Sequence, residues 1–169
     1  NQPQPKIQEI VSEGFENPEQ NFKRRFPFEA GKWFGNIYSI SAGQKISSVS
    51  GVRVAQFLDN PKAKFAYARY LIDLESYAEA YPTHTRSLRV DTSFFASNLD
   101  ESSVFQIRLA AFSQAPQDIA RIWNDSEVLF DQVLQHVGRN HITKPGQDSE
   151  WHKLGASIEI PPGTRSVVI

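Results

Sequence analysis

The chain contains no cysteine, which removes disulfides, thiolate nucleophiles and cysteine-ligated zinc together. The redox compartment stays open, because cysteine-free domains occur on both sides of a membrane. Methionine is absent too, even at residue 1, so the expectation is a fragment of a longer polypeptide with other domains. Asn1-Gln2-Pro3-Gln4-Pro5 suits a short, semi-rigid linker arm with nothing to bury. No apolar run approaches the roughly 20 residues that cross a bilayer. The sequence therefore predicts neither a membrane span nor a signal-peptide core. A surplus of one charge is also missing: the net charge is −1, without the cationic excess of a phosphate binder, so nucleic acid is excluded as the expected partner. No Walker loop, G-x-G-x-x-G or G-x-S-x-G occurs, which drops nucleotide, dinucleotide and hydrolase-elbow chemistry. The histidines, His84, His136, His141 and His152, follow no metal-ligand spacing.

What is present is ordinary globular material, with 169 residues, 40% of them apolar and 22% charged. That is the size of one domain able to bury a core unaided. The expected organisation is a linker and lead-in over 1–11 and a single domain over 12–169. Period-two alternation, the mark of a strand with one buried face, recurs along it. Gly51 to Leu58, Phe65 to Glu75, Ser87 to Ala96 and Val104 to Phe112 all read as strands. The last two, joined by a short polar loop, suggest an antiparallel pair. Leu129, Phe130, Val133, Leu134 and Val137 recur at three- and four-residue spacing up to Gly138 and predict one helix of about three turns, although a pair of strands fits so short a window too. Ile119 to Trp123 is a brief apolar run.

The end of the chain is the most patterned stretch. Trp151 leads into alternating Leu154, Ala156, Ile158 and Ile160, Pro161-Pro162-Gly163 breaks the run, and an apolar tail closes at Ile169. Proline supplies no ladder donor, so this predicts strand, turn, strand, a closing hairpin. The stretch resembles the C-terminal signature of carbohydrate-binding β-jelly rolls of the galactose-binding-domain-like superfamily. Gly14-Phe15-Glu16 is similar to the opening motif of that group, and Gly51-Val52-Arg53-Val54-Ala55 to its second strand. The resemblance implies an all-β sandwich of jelly-roll type, here with one short helical insertion. It also implies an extracytoplasmic, secreted or cell-surface setting and a polysaccharide or glycan partner. Two positions depart from the pattern. Glu13-Gly14 replaces a small-acidic pair, and the acidic residue that closes the family's last strand and helps to hold calcium is missing. Only Glu16 matches a calcium-ligand position, and calcium takes about six to eight oxygen ligands. The expectation is no cofactor and no metal.

With the strands side by side, the faces opposite the expected core present Arg53, Tyr67, Arg69, Asp73, Arg89, Asp91, Gln106 and Arg108. Two readings of these faces stay open. One is a solvated surface where Arg and Asp neighbours pair for small gains. The other is a concave sugar-binding face on which Tyr67 stacks against a pyranose while Arg69, Arg89, Asp91 and Arg108 bond its hydroxyls or carboxylates. An arginine-rich face favours an acidic polysaccharide. A jelly roll also binds at its loop rim, where the available aromatics are Trp33, Tyr38, Tyr77, Tyr81 and Trp123, while Trp151 reads as a core plug. The expected function is non-catalytic carbohydrate binding by one module of a larger protein. A structural or protein-interaction module without sugar affinity is the second reading. A lyase or glycosidase is the third: Tyr67, Arg69 and His84 supply the residue types of a lyase, but no paired carboxylates stand out for hydrolysis.

Overall fold

The structure is a computed structural model that describes residues 7–17, 22, 26, 29–41, 51, 53–57, 66–78, 88–97, 103–123, 131–142 and 151–169. The alternating segments become strands: β1 (Trp33–Gly35), β2 (Ile37–Ser41), β3 (Arg53–Phe57), β4 (Ala68–Asp73), β5 (Leu88–Ala96) and β6 (Val104–Phe112). A 3₁₀ turn (Leu74–Tyr77) follows β4, and helix α1 (Pro116–Ile122) follows β6. Then come β7 (Val133–Ile142), β8 (His152–Ile160) and β9 (Ser166–Val168). One antiparallel sheet has the order β1-β4-β9-β6-β7, and two ribbons pair β2 with β3 and β5 with β8. The β5–β8 ribbon lies over β6 and β7, which makes the protein an all-β sandwich.

Alternation decides what fills the space between the layers. Tyr70 and Ile72 of β4, Ile107, Leu109 and Ala111 of β6, and Val167 of β9 meet Ala156 and Ile158 of β8. Val90 and Phe94 of β5, Val137 of β7, Trp33, Tyr77, and Ile10 and Val11 from the lead-in pack around them. Burying each such large apolar side chain is worth about 1.5–3 kcal/mol. At one end His141 of β7 and His152 of β8 bring their rings to 4.6 Å, and the Nε2 atoms of both are buried without a hydrogen-bond partner among the described residues.

The large sheet is covered on its other face as well. Phe26, Leu71, Phe112, Val168, Ile119 and Ala120 form a second core there. Pro116 starts α1, where its missing N–H costs nothing, and the helix turns Pro116, Ile119 and Ala120 inward. Burial on both faces explains why Tyr70, Leu71 and Ile72 are buried in succession, as in any strand that has no solvent side.

Three sequence-based expectations change. β5 and β6 do not pair: β5 lies against β8, and β6 lies between β7 and β9. Nor do β8 and β9 form a closing hairpin. The Pro161–Thr164 turn, with Gly163 at φ 83° and Thr164 N–H donating to Pro161 O, passes the chain from the ribbon to the large sheet, where β9 enters between β4 and β6. Its geometry is that of a type II turn, in which glycine takes the positive-φ position. The third change concerns the helix. Asp131 and Gln132 are helical, residues 124–130 lie outside the described residues, and from Val133 the chain is a ten-residue strand paired with β6. Val133 and Val137 recur at a helical spacing, yet a register shift at Ala111/Phe112 sends them to opposite faces of the sheet, Val133 to the helix-side core and Val137 to the core between the layers. The packed helix is α1, which takes in most of the brief apolar run Ile119 to Trp123. Among the described residues no helix is long and apolar enough to cross a membrane, a statement about helices alone.

Candidate functional site

The residues singled out in the sequence scatter over both sides of the sandwich. Trp33 faces the inter-sheet core, with its ring 5.1 Å from that of Tyr70. Tyr77, on the 3₁₀ turn, packs against the same core. Tyr38 is exposed on β2 and donates its hydroxyl to Gln56 of β3 at 3.0 Å. Tyr81 lies outside the described residues. Arg89 and Asp91 lie on the outer face of the β5–β8 ribbon and pair with each other at 2.9 Å, both largely exposed. A hydrogen bond from Ser157 holds the Asp91 carboxyl below its usual range, and Arg89 adds to that. This is the solvated-surface arrangement, and such pairs contribute little.

Three of the remaining candidates come together. Arg69 of β4 and Tyr67, just before that strand, lie on the helix side of the large sheet, and Trp123 caps the C-terminus of α1 beside them. The Arg69 guanidinium carbon lies 3.7 Å from the centre of the Tyr67 ring and 5.1 Å from that of Trp123. Trp123 also stacks on Phe26 at 4.2 Å and meets Phe112 at 6.3 Å. The ring of Trp123 is thus engaged with its neighbours and serves as a wall that holds Arg69, not as a free platform for a ligand. Burial pulls the Arg69 guanidinium below its ordinary value, partly offset by Tyr67, which also shares a hydrogen bond with it. An arginine stays charged under such a shift.

The backbone beneath is fixed at close quarters. Asn36 N–H donates to Tyr67 O at 2.8 Å. A Cβ on Gly35 would stand 2.1 Å from that same oxygen, so only glycine lets β1 lie against Tyr67. Elsewhere, Glu16 accepts the Arg53 N–H at 3.1 Å, and Arg53 spans Ser39, its Nε 2.7 Å from the hydroxyl. The glutamate at the calcium-like position therefore ties the start of the chain to the β2–β3 ribbon. Among the described residues no group of three or more His, Asp or Glu is gathered to hold a metal ion.

Arg108 of β6 belongs to the same face as Arg69. It stands opposite Gly138 of β7, and its Nη1 is 3.2 Å from where a Cβ on that glycine would lie. Gln106 opposite Asn140, and Val104 opposite Ile142, continue the face outward, with Val104 56% and Ile142 62% exposed. The expected arginine-lined surface is thus divided: Tyr67, Arg69, Gln106 and Arg108 share one side, Arg89 and Asp91 the other. Phe26, Gly138 and Asn140 were not singled out as site residues. Gly138 was hidden because it closed the expected helix, and Asn140 because it lies just beyond that helix. No protein-family model matches the chain, and no curated protein is significantly similar to it.

Proposed function

We propose that this chain is a non-catalytic carbohydrate-binding module of a larger extracytoplasmic protein, with its ligand seated on the helix side of the large sheet. The observation that carries the reading is Arg69, set against Tyr67 and Trp123. Two aromatic rings lie beside the guanidinium, which is a planar fork of N–H donors. One hydrogen bond is shared with Tyr67, and among the described residues no carboxylate pairs with the guanidinium. Tyr67 adds a half-buried ring, and Arg108, Gln106 and Asn140 add exposed polar groups on the same face, the mix of aromatic and polar contacts that sugar recognition uses. The resemblance of the terminal segment to carbohydrate-binding jelly rolls supports the same reading. A catalytic role has less behind it, because no pair of carboxylates joins this group among the described residues, and His136, which shares the face opposite Ala110, stands on β7, across the sheet from Tyr67 and Arg69. Affinity electrophoresis through gels containing acidic and neutral polysaccharides tests it. Retardation that Tyr67→Ala weakens is the expected result, and free migration through every gel would sink the proposal in favour of a scaffold module.

A further inference from the structure

Leu71 of β4 and Ala110 of β6 both lie opposite Val168 of β9. Because β4 and β6 each run antiparallel to β9, they run in the same direction, and two residues earlier on each strand Arg69 and Arg108 stand level on one face. Two strand spacings separate their backbones, about 10 Å. Among the described residues neither guanidinium is paired with a carboxylate; the ion pairs there join Lys32 with Glu29, Arg89 with Asp91, Arg121 with Asp118 and Arg165 with Glu75. Two like charges fixed in one row repel each other, and a ligand that supplies negative charge at both points relieves that repulsion.

The geometry narrows the kind of charge. Arg69 is held beside two rings, and a guanidinium is a planar fork of donors that matches the two oxygens of a carboxylate in a bidentate pair. Arg108 lies beside the bare Cα of Gly138, on a stretch of sheet where Gln106 and Asn140 bring uncharged donors and acceptors suited to hydroxyls. We propose that the ligand is a polyuronate, a glycan whose sugars carry carboxylates, and that Arg69 and Arg108 bind carboxylates on different residues of one chain. This rests on the carbohydrate reading above for the sugar and on the arginine row for the charge.

The test is affinity electrophoresis of the wild-type chain, Arg69→Met and Arg108→Gln in three gels: a polyuronate, the same polymer with its carboxyls reduced to alcohols, and a sulfated neutral glucan. Circular dichroism checks the fold of each variant, and Arg108, on the open surface, serves where Arg69→Met misfolds. Retention by the polyuronate, lost on carboxyl reduction and weakened about 10-fold or more by either substitution, is the expected result. Equal retention by the carboxyl-reduced polymer overturns the carboxylate assignment and leaves carbohydrate binding standing. Tighter retention by the sulfated glucan overturns the preference for a planar acid. Retention unchanged in both variants overturns the arginine row as the site, and no retention in any gel overturns the carbohydrate reading together with this inference.

Discussion

The guanidinium of Arg69 lies 3.7 Å from the centre of the Tyr67 ring. Cation and ring are adjacent on one face of β4, and Trp123 approaches the same guanidinium from the end of α1. A contact of this kind contributes about 0.5–2 kcal/mol, while removing the charge from water works against it.

These opposing terms give a first prediction. Arg69→Met keeps a long side chain between the rings and removes a charge that has no carboxylate partner among the described residues. Its melting temperature is expected to stay within a few degrees of the wild type or to rise, which differential scanning calorimetry measures. A loss above about 3 kcal/mol would mean that Arg69 holds the fold and does not await a ligand.

Gly35 gives the opposite expectation. Its Cα sits against the Tyr67 carbonyl with no room for a Cβ, so Gly35→Ala must push β1 away from β4. The expected cost is about 2–3 kcal/mol in chemical denaturation, with loss of glycan retention because Tyr67 and Arg69 move. Wild-type stability in this variant would contradict the close approach.

Tyr70 sets an alkaline limit. It is buried, and burial raises its hydroxyl above the ordinary tyrosine value, with nearby Tyr77 adding to the rise. In the folded chain the proton is therefore held more tightly than in the unfolded one. The associated stability is complete below about pH 10, the unfolded value, and falls as the pH climbs through the raised folded value. Denaturation midpoints measured from neutral to strongly alkaline pH are expected to decline, and Tyr70→Phe is expected to flatten the decline. An equally steep fall in that variant would assign it to other groups.

The ring pair His141 and His152 joins the two layers across 4.6 Å, with both Nε2 atoms unpartnered among the described residues. His152→Phe keeps a ring there and removes one such nitrogen. Stability is expected to hold or to rise by about 1 kcal/mol. His152→Ala loses the ring contact and is expected to cost about 1–2 kcal/mol. Urea titrations compare the two; a large loss with phenylalanine would reveal a partner for that nitrogen.

Strand positions and the side each residue faces were legible to a considerable degree. Val104–Phe112 is a strand over the bounds its alternation suggested, and Tyr70, Ile72 and Leu74 lie on the face opposite Tyr67 and Arg69, as their parity required. Pairing was not legible, because a period of two fixes a face but not a neighbour. The short loop between β5 and β6 looked like a hairpin, yet each strand found its partners elsewhere. The site was legible only in pieces. Tyr67 and Arg69 could be placed together, whereas their meeting with Trp123 depends on α1 folding back across the sheet, and no local pattern states that.

By itself the sequence determined an all-β chain, the turn at Pro161-Pro162-Gly163 and the polar or apolar faces of β4, β5, β6 and β8, since these follow from backbone chemistry and side-chain periodicity over a few residues. The tertiary structure alone decided which of two exposed arginine-bearing faces became what. Arg89 found Asp91 two residues away on the outer ribbon. Arg69 and Arg108, far apart in the chain, were set level because β9 pairs with both of their strands at Val168. Strand insertion is a long-range event whose outcome rests on the packing of two whole layers, and no short stretch of sequence contains it.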